Sequence, residues 1–158
     1  MNIRDRVVAL SNELLDVSNI GESEIEERDE VKKLSEEAVV YLNDQTWCTQ
    51  IEKGWVGEEW GGILSIFLFK VLPSSRDIDD YVWVVVGDIP PAYIDIESAE
   101  SVDEVLESYV YIMSEWVKRV EKGQSVDDWF PVSVPPEKKY AEMLKRRLTF
   151  IKNNILSA

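Results

Sequence analysis

Ile3, Val7, Leu10, Leu14 and Val17 recur at spacings of four and three, with Val8 and Leu15 widening the apolar stripe. Side chains three and four apart share one helix face, so the pattern predicts a single amphipathic helix ending near Ser18. Asn19 to Gly21 breaks it. Glu22, Glu24, Glu26, Glu27, Asp29 and Glu30 then lead into Val31, Leu34, Ala38 and Leu42, a second helix with its acids at the dipole-positive N-terminus. From Trp47 to Ile96 the apolar runs shorten and fill with β-formers. They predict strands near Thr46 to Lys53, Ile63 to Leu72 and Tyr81 to Val86, with a short fourth near Tyr93 to Ile96. The second and third are apolar at nearly every position, as central strands covered on both faces are. Pro73-Ser74-Ser75-Arg76-Asp77 has the length and chemistry of a hairpin loop, so these two strands should pair antiparallel.

Ser101-Val102-Asp103-Glu104 reads as a capping box, opening a helix that buries Val105, Tyr109, Met113, Trp116 and Val120 and stops at Gly123. A loop with Asp127-Asp128-Trp129-Phe130-Pro131 follows. Pro136 suits the first position of a last helix, with Tyr140, Leu144, Leu148, Ile151 and Ile155 on its apolar face. The order ααββββαα predicts an α+β fold: a single mostly antiparallel sheet of three to four strands packed by roughly four helices. No repeat, low-complexity tract or linker interrupts the 158 residues, so one domain is expected.

Charge adds more than any motif. There are 31 acids, 17 bases and no histidine, for a net charge of −14. Without histidine the commonest general base and the commonest metal ligand are missing, and Ser-His-Asp or Cys-His chemistry is excluded. The field repels nucleic acid and anionic membranes and attracts basic partners in a salt-dependent way. From Glu137 onward the balance is +4, leaving −18 on the preceding residues. A basic last helix beside an acidic body offsets part of the self-repulsion, and the acidic body is also a candidate docking face. Cys48, the only cysteine, rules out an intramolecular disulfide and reads as a small buried hydrophobe. The N-terminal residues lack the apolar stretch of a signal peptide, and no apolar run approaches a membrane span, which points to the cytoplasm.

Residues 77 to 104 carry nine acidic side chains and no base: Asp77, Asp79, Asp80, Asp88, Asp95, Glu97, Glu100, Asp103 and Glu104. Most flank the apolar run Tyr81 to Val86. Hard cations want several carboxylate oxygens, but the calcium-loop spacing is absent, and no metal or cofactor is assigned. Asp88 stands at the end of a central strand in Gly87-Asp88-Ile89-Pro90-Pro91-Ala92-Tyr93, whose prolines predict a stiff connection between strands. Trp55-Val56-Gly57-Glu58-Glu59-Trp60-Gly61-Gly62 lacks a phosphate loop's Gly-Lys-Ser/Thr ending. It reads as a turn or bulge with its rings in the core, or as a groove for a partner loop lined by Trp55, Glu58, Glu59 and Trp60.

Together with the helix Tyr140-Ala141-Glu142-Met143-Leu144, these two motifs make the segment from Trp55 onward resemble a family of small acidic bacterial proteins of unknown function. The resemblance implies a bacterial cytosolic protein and supplies no catalytic residue. The leading expectation is a non-catalytic, immunity- or antitoxin-like protein that neutralises a basic partner such as a nuclease toxin domain. Asp77, Asp79, Asp80, Glu97 and Glu100 would cover the partner's phosphate-binding Lys/Arg surface, with Asp88 also acidic and near. Two alternatives stay open: a carboxylate-based, Mg- or Mn-dependent hydrolase around Asp88 and the Asp77 cluster, and a small adaptor anchored by Trp55 to Trp60 or by Trp129-Phe130. Oligomeric state is not legible.

Overall fold

The computed structural model describes residues 1–156. Helix α1 (Ile3–Ser11) precedes a two-residue strand β1 (Leu15–Asp16), a 3₁₀ stretch (Val17–Glu22) and helix α2 (Arg28–Asn43). Strands β2 (Cys48–Glu59), β3 (Leu64–Pro73), β4 (Tyr81–Gly87) and β5 (Ile89–Asp95) follow without a helix between them. Helices α3 (Val102–Glu121) and α4 (Lys138–Ile151) come next, and Lys152–Leu156 continues α4 with a wider π-type winding. The fold is α+β. Its one antiparallel sheet has the order β1-β2-β3-β4-β5, a plain meander.

Strands β3 and β4 are apolar at nearly every position, Ser65 and Lys70 excepted, because helices cover both faces of the sheet. Leu64, Ile66 and Leu68 of β3, with Trp83 and Val85 of β4, face a core shared with α1, α3 and α4. Phe67, Phe69 and Val71, with Val82, Val84 and Val86, face a second core closed by Val31, Leu34, Ala38 and Leu42 of α2. The β3–β4 register, Phe67 opposite Val84 and Leu68 opposite Trp83, keeps each alternate set on its own side. The expected hairpin between these strands is present, and the amide of Val71 donates to the carbonyl of Asp80 at 2.8 Å.

Five strands replace the three to four expected. The extra one is β1, where the helical spacing of apolar residues misleads. Val7, Leu10 and Leu14 pack in the α3/α4-side core, whereas Leu15, Val17 and Ile20 pack on the α2 side. The chain crosses the sheet edge between them, so α1 ends at Ser11 instead of Ser18, and Leu15 and Asp16 pair with Val56 and Trp55. The Asp16 carboxylate accepts from the amide of Ser18 at 2.9 Å and starts the 3₁₀ stretch.

Strand β2 takes in five of the eight residues of the glycine-tryptophan octapeptide, with register shifts at three places. A Cβ at Gly54 would sit 2.6 Å from the Phe69 ring, so any side chain there would have to displace that buried ring. The turn itself is confined to Trp60–Ile63. Pro90 and Pro91 lie inside β5, not in a connection before it. A terminal strand tolerates them because its outer side needs no ladder donors. Ser101 caps α3 by accepting from the amide of Glu104 at 3.3 Å, while Glu104 reaches back to the amide of Glu100 at 3.0 Å. Helix α4 starts at Lys138, two residues after Pro136.

Candidate functional site

In a meander, connections alternate between the two ends of the sheet. The β3–β4 loop, the C-terminal end of β5 and the start of α3 share one end; the β2–β3 and β4–β5 turns share the other. The seven residues of β4 put roughly 20 Å between them at about 3.3 Å per residue. The ten residues expected at a site therefore divide. Asp77, Asp79, Asp80, Glu97 and Glu100 lie at the first end, Glu58, Glu59, Trp60 and Asp88 at the second. Trp55, in mid-strand, is 7 % exposed and stacked on Tyr81, its ring centroid 6.0 Å away.

Several of these acids already serve the fold. Arg4 of α1 grips Asp80 with two hydrogen bonds of 2.9 and 2.8 Å, and Arg6 donates to Glu100 at 2.8 Å. These clasps fix α1 across the first end, and the Arg4 hydrogen bonds hold the Asp80 carboxyl below the usual carboxylate value. At the second end Arg147 of α4 meets Asp88 at 2.6 Å, and Glu59 accepts from the amide of Gly61 at 2.8 Å. What remains at the first end is a rim of carboxylates (Asp77, Asp79, Asp95, Glu97, Asp103 and Glu107) that form no ion pair among the described residues. Arg76 is the only base in the β3–β4 loop, and none follows it until Lys118.

This rim borders a groove around Tyr93, near the C-terminal end of the terminal strand. Tyr93 meets Trp47 edge-on, with centroids 4.9 Å apart and planes at 68°, and Phe130 at 5.0 Å. On the Trp47 side a chamber of about 220 Å³ is walled by Ile78, Val82, Asp79 and Asp95. On the Phe130 side a wider one of about 480 Å³ lies against α3, with Glu104, Glu107, Ser108 and Tyr111 along its wall. Tyr93 and Asp95 border both. No lysine or arginine lines either, whereas two cavities between α3 and α4 are lined by Lys138 and Lys145, and by Lys118, Lys145 and Lys152.

The local structure is well anchored. The indole of the buried Trp83 donates to the carbonyl of Ala99 at 2.9 Å, pinning the segment between β5 and α3 that carries Glu97 and Glu100. Asp95 accepts from the amide of Ser98 at 2.8 Å with one oxygen. The indole of Trp129 donates to the carbonyl of Ile112, also at 2.9 Å, and Arg119 lies over its ring, so the loop carrying Phe130 is tied to α3. Partial burial raises the Asp79 carboxyl above its ordinary value, and Asp95 and Asp80 push it the same way against a weaker pull from Arg4.

Sequence reasoning placed the acids but missed the aromatic walls. Tyr93 closes the Gly87–Tyr93 motif and opens the short fourth strand expected there, and Tyr111 falls outside the buried stripe of its helix. Nothing marked Trp47 as a partner for Tyr93, since 46 positions separate them. Trp129 and Phe130, the adaptor reading's apolar anchor, are half-buried against α3 and Tyr93. Among the described residues no group of three His, Cys, Asp or Glu is arranged to hold a metal ion, and no helix is long and apolar enough to cross a membrane. Compared with protein-family models, curated proteins and solved structures, the chain matches none.

Proposed function

We propose that this protein is a non-catalytic binding protein of the immunity or antitoxin type in the bacterial cytoplasm, and that it captures a basic protein on the acidic end of its sheet. The observation that carries this reading is the rim of carboxylates without an ion pair among the described residues around the Tyr93 groove, with the two lysine-lined cavities placed between α3 and α4. Partly solvated carboxylates that already repel one another gain from a cationic surface, and a one-sign field accelerates encounter with it. A nuclease toxin domain has the matching chemistry, because the Lys/Arg surface that holds nucleic-acid phosphates is what such a rim would cover.

The hydrolase alternative would need Asp88 and the Asp77 cluster together. Asp88 and the Asp77 cluster sit at opposite ends of β4, and Asp88 is held by Arg147. The test is affinity capture from native cells on two baits, the protein itself and an Asp77→Lys/Asp79→Lys/Glu97→Lys variant, each washed at low and high salt. One basic protein in near-stoichiometric amount on the first bait, weakened by salt and missing from the second, is the expected result. Identical captures on both baits, or none on either, would overturn the reading.

A further inference from the structure

The smaller chamber beside Tyr93 is built for more than general charge attraction. Asp79 and Asp95 face it together, and Arg4, whose charge reaches Asp79, is committed to Asp80. Its remaining walls are mostly apolar: the rings of Trp47 and Tyr93, set at 68°, the Tyr81 ring with Arg4 over it, and Ile78 and Val82. At about 220 Å³ it has room for roughly seven waters at about 30 Å³ each, short of the ~300–1,000 Å³ that small-molecule sites occupy. A long side chain with an apolar stem and a cationic tip matches both the volume and the walls. Its stem would replace water on the rings, and its charge would meet two carboxylates and an aromatic surface.

We propose that this chamber is the receptor for one arginine or lysine side chain of an extended basic segment of the partner, whose neighbouring residues run past Tyr93 into the wider chamber against α3. The proposal rests on the function proposed above and names the contact at its centre. Charge complementarity selects the occupant: the border of both chambers is acidic, with Asp79, Asp95, Glu104 and Glu107 and no base. A second copy of this chain carries a net charge of −14, and only its basic last helix offers the opposite sign.

The test uses ¹⁵N-labelled full-length protein at low salt, titrated with a blocked peptide of alternating arginine and serine. The indole N–H of Trp47 and the amides of Tyr93 and Asp95 should shift most. Asp79→Asn/Asp95→Asn, which keeps the side-chain shapes, should weaken binding about tenfold, the size expected when one cation loses its paired carboxylates. Asp77→Asn/Glu97→Asn, on the rim outside the chambers, should weaken it by less than about threefold. If the two pairs weaken binding equally, or the Trp47 indole stays put while rim amides shift, the chamber is not the receptor and the acidic-face reading survives alone. If the peptide moves no resonance at low salt, both fall.

Discussion

Removing Arg4 tests which acids the fold has claimed and which it leaves for a partner. Its two hydrogen bonds to Asp80, 2.9 and 2.8 Å, form a bidentate fork. In a dry interior each charged hydrogen bond would contribute about 1.5–3 kcal/mol. Here the Arg4 side chain is 48 % exposed and that of Asp80 29 %, so water screens the pair to the upper end of surface values, about 1 kcal/mol. A double-mutant cycle on Arg4→Ala and Asp80→Ala, read by urea unfolding at pH 7 and low salt, should give that coupling, and 1 M salt should shrink it. The sign with pH is fixed. Arg4 holds the Asp80 carboxyl below its ordinary 3.8, so near that pH the folded protein binds fewer protons than the unfolded chain. The pair's contribution is therefore full above about 3.8 and is lost as pH falls through the lower folded value. A coupling within about 0.3 kcal/mol of zero at low salt, or one that grows with salt, refutes the clasp. If the clasp holds, Asp80→Asn should lower stability while leaving partner association nearly as fast as before.

Asp79 behaves in the opposite sense. Burial and its acidic neighbours raise its carboxyl in the fold, so it disfavours the folded state at neutral pH. Asp79→Asn should raise the unfolding midpoint at pH 7, and the gain should shrink as pH falls below the raised folded value and vanish below the ordinary 3.8, as thermal melts across pH would show. Trp83→Phe orphans the carbonyl of Ala99 and leaves a void in the core, a loss of about 2–4 kcal/mol by urea unfolding, with loosened amides around Glu97 in hydrogen exchange. Gly87 has φ +148°, and a Cβ there would strike the backbone of Ile63 and Leu64. Gly87→Ala should cost about 4 kcal/mol or more, and a soluble variant with the parent's unfolding midpoint would contradict the tight β4–β5 turn.

The central hairpin was readable because β3 and β4 are buried on both faces and need no alternation, and because the loop between them carries the right turn chemistry. Helices α3 and α4 were readable because each buries one stripe against one core. Reading failed where a segment serves both faces. Val7, Leu10 and Leu14 continue in phase with Val17, but a helical period cannot show that Leu15 and Val17 turn to the other side of the sheet. Pro90-Pro91 looked like a connection because prolines are excluded from central strands; only the sheet order shows β5 to be terminal. The acids of the first end were visible as a run without bases. Arg4 and Arg6, which neutralise two of them from 76 and 94 residues away, were not, and neither was the meeting of Trp47 with Tyr93.

The most direct measurement is the association rate of the captured basic partner, by stopped-flow, with one charge-reversed variant from each end of the sheet. Asp77→Lys/Glu97→Lys should slow association by about tenfold or more at low salt, with the difference closing as ionic strength rises. Glu58→Lys/Asp88→Lys, some 20 Å away across the sheet, should change the rate by less than about twofold. Equal slowing by both variants, or none by the first, would contradict capture at the acidic end.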